Sequence, residues 1–348
     1  MSEQGDQTSA GELPGLDPER LTAWLNEVRP GLAAGALSGR LIAGGRSNLT
    51  YEITDGHSTW ILRRPPLGHV LATAHDMTRE YRVMAALADT DVPVPEVFAL
   101  CEDPEVIGAP FYVMERIIGT PYRTAAELES LGTERTRAIS TELIDTLAAL
   151  HRVDPAAIGL AEFGRPEGFL ERQVRRWKKQ LDASRTRELP AADELHDLLT
   201  KHLPVQSNTG IVHGDYRLDN VLVDADGHIA AVIDWEMATL GDPLTDVGLL
   251  LVYLRMGALG LPGINDATAA PGQLSESEVR ERYSERSGRD ISHIAFHTAL
   301  ASFKLAVICE GIHFRHLNGQ TVGEGFETIG GTVEPLLQAG ITALQEDH

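Results

Sequence analysis

Residues 211–236 read IVHGDYRLDNVLVDADGHIAAVIDWE, and this stretch decides the fold. Its two apolar runs, VLV and HIAAVI, flank the turn sequence DADG, in which Gly227 can supply the positive φ that a tight turn requires. The pattern predicts a β-hairpin within residues 210–234. The polar segment HGDYRLDN comes directly before its first strand, and an aspartate comes directly after its second.

The two ends of the predicted hairpin carry oxygen-rich side chains. Because a hairpin places its ends side by side, we expect the segment from Asp215 to Asn220 to lie close to Asp234. Carboxylate and carboxamide oxygens are hard ligands that suit Mg²⁺ beside substrate phosphates. Asp215 stands apart as an acceptor for a hydroxyl proton. An isolated Asp and Asn are usually turn residues, but their register with the hairpin favours a functional site.

Composition and charge restrict the class of protein. The 348 residues are 43% apolar, which is enough to bury a core in each of two lobes. The net charge of −21 repels phosphate backbones and anionic membrane surfaces, so neither nucleic acid nor membrane is an expected partner. The polar opening MSEQGDQTSAGELPG resembles neither a signal peptide nor an anchor, and the two distant cysteines, Cys101 and Cys309, fit a reducing compartment. We therefore expect a cytoplasmic protein.

Periodicity along the chain predicts a β-containing first part and a helical second part. Asp17 as N-cap and Pro18 at the first helical position begin an amphipathic helix whose apolar face carries Leu21, Trp24, Leu25 and Val28. Five β-prone runs, GRLIAGG, NLTYEIT, STWILRR, VPVPEVFALCED and PFYVMERIIG, predict a five-stranded sheet with one inserted helix at 73–89. Later helices are predicted at 134–151, 168–186, 191–203, 243–257, 275–287, 291–316 and 321–345.

The spacing His-x-Asp-x-x-x-x-Asn, followed by a hairpin and an Asp, resembles the catalytic machinery of the protein-kinase-like fold. With IDWE in place of Asp-Phe-Gly, and GDPLTDVG further on, the chain is similar to the aminoglycoside phosphotransferase and choline kinase-like family. Within that family it most resembles the kinase-like domains associated with acyl-CoA dehydrogenases. The resemblance implies a bilobal α+β fold: a disordered lead-in at 1–15, a small antiparallel-sheet N-lobe with one helix at 16–116, and a larger, mostly helical C-lobe at 117–348.

The same resemblance implies a role for each residue of the motif. Asp215 corresponds to the catalytic base, and Asn220 and Asp234 correspond to the residues that hold Mg²⁺ on ATP, the co-substrate. His213 corresponds to a structural member of the loop, and Asp219 to a position that orients it. In GDPLTDVG, Asp242 and Asp246 match positions that cap the next helix and brace the catalytic loop.

The resemblance also implies a nucleotide site in the N-lobe. Gly44, Gly45, Ser47 and Asn48 occupy the place of a phosphate-covering turn, although the glycine pair also fits a plain hairpin turn. Arg63 stands where many kinases have Lys, with Arg64, on the opposite face of the strand, as the competing assignment. The partner of this arginine is expected to be Glu80, unless the two form only a surface ion pair. The adenine hinge corresponds to Met114, Glu115 and Arg116.

The acceptor site is expected in the helical lobe. Arg175, Arg176 and Trp177 belong to a basic island in an acidic protein, which favours an anionic acceptor, although a snorkelling helix face explains the island equally well. Glu310 and His313 interrupt a long apolar helix and are either acceptor contacts or a polar face at a helix end.

These expectations combine into a small-molecule kinase that transfers the ATP γ-phosphoryl group to a hydroxyl of a hydroxyacyl-CoA or another hydroxy-acid derivative. An aminoglycoside phosphotransferase remains an alternative. So does a nucleotide-binding pseudokinase that acts as an interaction module, which Arg63 in place of Lys would fit. A protein kinase is disfavoured because WEMATLGDPLTDVG leads directly into a predicted helix, without room for a peptide-docking segment. The choice between ATP and GTP and the oligomeric state stay open.

Overall fold

The computed structural model describes residues 13–42, 48–68, 76–205, 208–258, 266–321 and 326–346. The chain divides into two compact units. Residues 1–88 and 94–117 form the first unit, and residues 89–93 and 118–348 form the second.

The first unit contains an antiparallel sheet and two helices. Helix α1 (Pro18–Val28) is followed by strands β1 (Ser38–Leu41), β2 (Leu49–Thr54) and β3 (Thr59–Arg64), helix α2 (Met77–Leu87), and strands β4 (Val97–Cys101) and β5 (Phe111–Glu115). The strands lie in the order β1-β2-β3-β5-β4, and every neighbouring pair is antiparallel. The predicted five-stranded sheet with one inserted helix is confirmed.

One hydrophobic cluster of the first unit lies on one face of this sheet. Tyr51 on β2 pairs with Leu62 on β3, and Leu62 pairs with Val113 on β5, so three fully buried side chains lie in one row across the sheet. Helix α1 packs its apolar face into the same cluster, after Asp17 caps its first turn by accepting hydrogen bonds from two backbone N–H groups. Val28, predicted on that face, is 44% exposed because the helix ends there.

The second unit is mostly helical. Its helices are α3 (Ala125–Glu129), α4 (Thr133–Arg152), α5 (Phe169–Ser184), α6 (Pro190–Lys201), α7 (Leu244–Ala258), α8 (Glu276–Ser287), α9 (Ile294–Leu317) and α10 (Val333–Gln345). The prediction of one helix over 321–345 was wrong at its start. A 3-10 turn at Ile329–Thr332 precedes α10, and its two consecutive glycines disfavour an α-helix there.

Two small antiparallel pairs carry the catalytic motif. Strand β7 (Val221–Val223) pairs with β8 (Ile229–Val232), which confirms the predicted hairpin. Strand β6 (Gly210–Val212), just before the motif, pairs with β9 (Thr239–Gly241), just after it. The segment after Asp234 passes through a short turn and strand β9 and then enters α7 at Leu244, where the sequence predicts a helix over 243–257.

Helix α9 forms the centre of the helical unit. It packs against α5, α6, α7 and α10, and most of its residues between Ile294 and Gly311 are buried. In the described part of the chain, α9 is the one helix whose length and apolar composition would allow it to cross a membrane. Its most apolar window is 89% buried inside the protein, as expected for a core helix.

Candidate active site

The hairpin β7–β8 brings the two halves of the motif together. Gly227 takes a φ of 98° in its turn, and the carboxylate of Asp224 accepts hydrogen bonds of 2.9 Å from the backbone N–H groups of Asp226, Gly227 and His228. At the open end, the N–H of Ile233 donates to the carbonyl oxygen of Asn220 at 2.9 Å. The hairpin therefore pairs Asn220 with Ile233, the residue directly before Asp234, and so brings Asn220 close to Asp234 as predicted.

Asp215 lies at the centre of a network of donors. The carboxamide Nδ2 of Asn220 donates to the carbonyl oxygen of Asp215 at 2.8 Å and to its carboxylate at 3.1 Å. Tyr253 on α7 donates its hydroxyl to the other carboxylate oxygen at 3.3 Å. Burial and the neighbouring carboxylate raise the pKa of Tyr253 well above its ordinary value, so this hydroxyl remains a donor. About 30% of the Asp215 side chain remains exposed, which leaves its carboxylate accessible.

Arg217 joins Asp215 to Asp219. Its Nε lies 3.4 Å from the carboxylate of Asp215 and 3.1 Å from that of Asp219, and its guanidinium stacks 5.5 Å from the centroid of the Tyr253 ring. The contact between Arg217 and Asp219 fixes the arginine that also contacts Asp215, which fits the orienting role predicted for Asp219.

The buried carboxylate of Asp246 braces the catalytic loop from α7. It accepts hydrogen bonds from the backbone N–H groups of His213 at 2.7 Å and Gly214 at 2.8 Å, and lies 3.3 Å from Nε2 of His151. Burial alone would raise the pKa of this carboxyl, but the contacts to His151 and the loop N–H groups outweigh burial and lower it. The structural role predicted for Asp246 is confirmed.

His213 and Gly214 set the backbone that presents Asp215. His213 is fully buried, its Nε2 lies 3.0 Å from the carbonyl oxygen of Ile233, and its Nδ1 accepts from the N–H of Asp215 at 3.3 Å. This arrangement uses both ring nitrogens for structure, as predicted. Gly214 has a φ of 86°, and a Cβ there would lie 2.8 Å from the side chain of Met237, so only glycine fits.

Asp234 has an unusual backbone. Its φ of 65° and ψ of 58° are left-handed, and it is the one non-glycine residue with positive φ in the described part of the chain. Aspartate tolerates this region better than most residues, and such conformations concentrate at functional sites. The next residue, Trp235, is fully buried and donates its ring N–H to the carbonyl oxygen of Val232 at 3.0 Å, which anchors the turn.

Asp242 caps α7, as predicted. Its carboxylate accepts from the N–H of Leu244 at 3.1 Å and lies 3.3 Å from Nε2 of His297 on α9. Both Asp242 and His297 are almost completely buried, so this contact fastens the start of α7 to the core helix.

The first unit contains a buried ion pair. Nε of Arg63 on β3 lies 3.1 Å from the carboxylate of Glu80 on α2, and the two side chains are only 12% and 1% exposed. Asn48 and Tyr112 also donate to Glu80, at 3.0 and 2.8 Å. A surface ion pair is therefore excluded. Arg64 instead donates to backbone carbonyl oxygens of Gly15 and Ile107, so the structure assigns the Glu80 partner to Arg63.

The remaining nucleotide-site predictions divide into two groups. Gly44, Gly45 and Ser47 lie outside the described residues. Met114 and Glu115 end β5, and the N–H of Glu115 already donates to the carbonyl oxygen of Glu96 at 2.8 Å. Arg116 follows, with its side chain paired to Glu52 at 2.6 Å. Any adenine contact by this segment therefore has to use a backbone group other than the Glu115 N–H.

A cavity of about 270 Å³ lies beside the catalytic loop within the second unit. Gly214, Met237 and Thr245 line it on the loop side, and Trp177 of α5 and Lys304 of α9 line it on the helical side. Its cationic lining residues are Arg165, Arg172, Arg176 and Lys304, and none of its described lining residues is acidic. The cavity continues into an open groove of about 590 Å³, because Arg172, Gln173 and Arg176 line both.

The predicted acceptor residues fall into different environments. Arg175 and Arg176 are exposed on α5, and Arg175 lines the groove, while Trp177 is buried with one side on the cavity. The prediction that Glu310 contacts the acceptor is wrong. Its side chain is fully buried and accepts hydrogen bonds from Thr186, so it fastens the α5–α6 connection to α9. His313 packs against Gly330 instead of lining the cavity.

The catalytic geometry and the sequence agree with one known family. Residues 38–284 match the family model described as the phosphotransferase enzyme family. This match covers most of the chain and includes the whole motif. The chain belongs to the phosphotransferase enzyme family.

Relatives of this phosphotransferase occur as parts of longer proteins. It is 39% identical to acyl-CoA dehydrogenase family member 10 of Mus musculus over 281 residues, which cover 79% of this chain and 26% of that protein. It is 34% identical to acyl-CoA dehydrogenase family member 11 of Gallus gallus over 337 residues, which cover 94% of this chain and 43% of that protein. The chain thus spans less than half the length of these curated relatives.

Solved structures show the same fold. A provisionally assigned aminoglycoside phosphotransferase from Ralstonia eutropha superposes with a TM-score of 0.82 at 37% identity, covering 95% of this chain and 98% of that chain. An aminoglycoside phosphotransferase in complex with AMP-PNP and hygromycin B superposes with a TM-score of 0.60 at 16% identity, covering 93% and 98%. At that identity the second match shows the fold alone, which is the predicted protein-kinase-like α+β fold.

Sequence reasoning missed three residues of this phosphotransferase site. Arg217 and Tyr253 contact Asp215, and Lys304 contacts the carbonyl oxygen of Gly214. Arg217 lies inside the motif and could have been singled out there. Lys304 had a signal too, because a lysine in the apolar run IAFHTALASFKLAVI needs a polar partner.

The donor set of the phosphotransferase fits a hard cation. Because Nδ2 of Asn220 donates to Asp215, the Oδ1 of Asn220 remains as an oxygen for a metal. Asp234 supplies a carboxylate nearby, because it directly follows Ile233, whose N–H donates to the Asn220 carbonyl oxygen. No cluster of three or more His, Cys, Asp or Glu side chains able to hold a metal occurs within the described ranges. Two protein ligands suit Mg²⁺, which is usually completed by substrate phosphates and water.

Proposed function

We propose that this phosphotransferase transfers the γ-phosphoryl group of ATP to a hydroxyl group of a small acceptor. The observation that carries the proposal is the position of Asp215, which is partly exposed, oriented by Asn220 at 2.8 and 3.1 Å, and directly after Gly214, which lines a cavity that can hold an acceptor. A base that is fixed, reachable and adjacent to a small-molecule cavity is what hydroxyl activation requires.

The chain's own groups account for each step of the transfer. Asp215 takes the hydroxyl proton while the acceptor oxygen forms a bond to the γ-phosphorus and the bond between that phosphorus and the bridging oxygen breaks, releasing ADP. Asn220 and Asp234 would hold Mg²⁺, which would supply positive charge to the nucleotide phosphates. Arg63, fixed by Glu80, binds the nucleotide phosphates, and Gly44, Gly45, Ser47 and Asn48 are the further phosphate-binding residues that the sequence predicts. The segment of Met114, Glu115 and Arg116 binds the adenine through its backbone.

The lining of the cavity supports an anionic acceptor. Its four cationic residues and the absence of acidic residues from its described lining favour a negatively charged molecule. An aminoglycoside carries several positive charges, and this lining would repel it. The charge of the cavity therefore supports an anionic acceptor over an aminoglycoside, even though the fold is shared with aminoglycoside phosphotransferases.

Two further observations support a hydroxyacyl-CoA or a related hydroxy-acid derivative. Arg175, Arg176 and Lys179 line the groove next to the cavity and form no ion pair with other described residues, so they can bind the phosphates of CoA. The curated relatives are named as acyl-CoA dehydrogenases, whose substrates carry CoA. We therefore place the acyl part in the cavity and the phosphates in the groove.

A mass-spectrometric search for phosphorylated products tests the proposal. The protein is incubated with Mg²⁺, ATP and separate panels of hydroxyacyl-CoAs, free hydroxy acids, aminoglycosides, choline-like amines and sugars. A phosphorylated hydroxyacyl-CoA or hydroxy acid is the expected result, and a phosphorylated aminoglycoside would overturn the acceptor assignment. Arg176→Gln should weaken the use of CoA thioesters, whereas Lys201→Gln, at the exposed end of α6, is the matched control.

A nucleotide-binding protein without turnover is the competing function. It predicts binding of ATP with no product from any panel. The complete set of Asp215, Asn220 and Asp234, each in a position that supports chemistry, argues against this alternative.

A further inference from the structure

Lys304 is a partly buried cation that the transfer steps above do not use. It lies in the middle of α9, where it donates to the carbonyl oxygen of Gly214 at 2.7 Å and stands 5.8 Å from the centroid of the Trp177 ring. Burial lowers the pKa of its ammonium below the ordinary lysine value. A charge in such a position is costly unless polar partners surround it, so its partners identify its role.

The ammonium of Lys304 has more N–H donors than hydrogen-bond partners among the described residues. It carries three N–H donors, and the Gly214 carbonyl oxygen is its one hydrogen-bond partner among the described residues. The same side chain lines the cavity beside the catalytic loop, on the same face of α9 as the apolar side chains of Leu300 and Ala301. An oxygen of a bound molecule would therefore complete its coordination in a place where little water competes.

The location of Lys304 couples this contact to catalysis. Gly214 directly precedes Asp215, so a ligand oxygen on Lys304 is held at a fixed distance from the base. We propose that Lys304 is a specificity-determining residue that binds the C1 oxygen of a hydroxyacyl acceptor, either a carboxylate or a thioester carbonyl. This inference rests on the proposed function and deepens it, because it names the group by which the acceptor is recognised.

Three acceptors that differ only at C1 test this inference: 3-hydroxybutyrate, 3-hydroxybutyryl-CoA and 1,3-butanediol. Lys304→Gln keeps an N–H donor for Gly214 but removes the charge. We expect its KM for 3-hydroxybutyrate to rise about 10- to 100-fold, as for a lost charge-assisted hydrogen bond, and its KM for the thioester to rise about 3- to 10-fold. Its KM for the diol, which has no C1 carbonyl oxygen, should be unchanged.

The comparison with Arg176→Gln shows whether the C1 oxygen belongs to a free hydroxy acid or to a CoA thioester. Arg176 lies at the junction of cavity and groove, so this variant should impair the CoA thioester more than the free acid if the groove binds CoA phosphates. Lys201→Gln is the control for loss of a lysine charge elsewhere in the unit.

Folding and nucleotide binding are measured in parallel by thermal unfolding and by calorimetric titration with ATP and Mg²⁺. Equal losses with all three acceptors in Lys304→Gln would overturn the specificity role and leave the kinase function standing. Lys304→Met, which removes both the charge and the donor to Gly214, should lower kcat for all three. A wild-type protein that phosphorylates no hydroxyl compound would overturn the proposed function, and this inference with it.

Discussion

The carboxamide of Asn220 and the carboxylate of Asp215 are in direct contact, with Nδ2 of Asn220 3.1 Å from Oδ2 of Asp215 and 2.8 Å from its carbonyl oxygen. This contact orients the amide so that its oxygen faces away from the base. The nitrogen of this one side chain thereby holds Asp215, while its oxygen stays free of that contact, as the proposed roles in proton transfer and cation binding require. The five-residue spacing in the motif is explained by this double use.

Asp215→Asn tests the base. The variant keeps the size of the side chain but cannot accept a hydroxyl proton, so we expect kcat to fall about 10²- to 10⁴-fold. Nucleotide affinity should stay within about twofold of wild type, measured by calorimetric titration with ATP and Mg²⁺. Asp226→Asn, in the exposed hairpin turn, serves as the control. Wild-type turnover in Asp215→Asn would remove the residue from this role.

Asp234→Asn tests the metal site. Asparagine tolerates the left-handed backbone that Asp234 adopts, so the exchange removes charge without adding strain. We expect binding of ATP to lose its dependence on Mg²⁺, observed as the same weak affinity with and without the cation. An affinity that still increases with Mg²⁺, as in wild type, would contradict the assignment.

Glu80→Gln tests the buried ion pair of the first unit. The substitution leaves the guanidinium of Arg63 without its charged partner, and breaking such a pair destabilises a protein by about 3–5 kcal/mol. Denaturant unfolding gives the free energy of unfolding. Glu102→Gln, on the exposed surface of the same unit, should change it by less than about 0.5 kcal/mol. Similar values for both variants would show that the pair contributes nothing to stability.

Asp246→Asn tests the brace of the catalytic loop and its dependence on pH. Each buried N–H left without its charged acceptor costs about 1–3 kcal/mol. The folded pKa of Asp246 is lowered below the ordinary value of 3.8, so its contribution to stability is present above that pH and is lost as the pH falls through the folded pKa.

The difference in unfolding free energy between wild type and Asp246→Asn should therefore be largest at neutral pH and shrink below pH 3.8. Unfolding by denaturant at a series of pH values measures it. Asp197→Asn, whose side chain is 85% exposed, should show no such difference at any pH. A difference that is independent of pH would mean that Asp246 is not ionised in the folded protein.

Local sequence was sufficient for the catalytic hairpin and for most of the helices. A turn with Gly227 and two apolar runs specifies the hairpin through contacts between residues close in the chain, and Asp17 with Pro18 specifies the start of α1 in the same way. The convergence of Asn220 and Asp234 follows from that hairpin. The motif therefore identified the centre of the site before any tertiary structure was known.

Only the tertiary structure decided which distant side chains complete the site. Asp246 reaches His213 across 33 residues of sequence, and Lys304 reaches Gly214 across 90. It also assigned Glu80 to Arg63 and gave Glu310 a structural role, since both outcomes depend on which face of an element is buried against another. Periodicity predicts which residues share a face, but the partner of a buried charge is set by packing between elements, which the spacing along the chain does not contain.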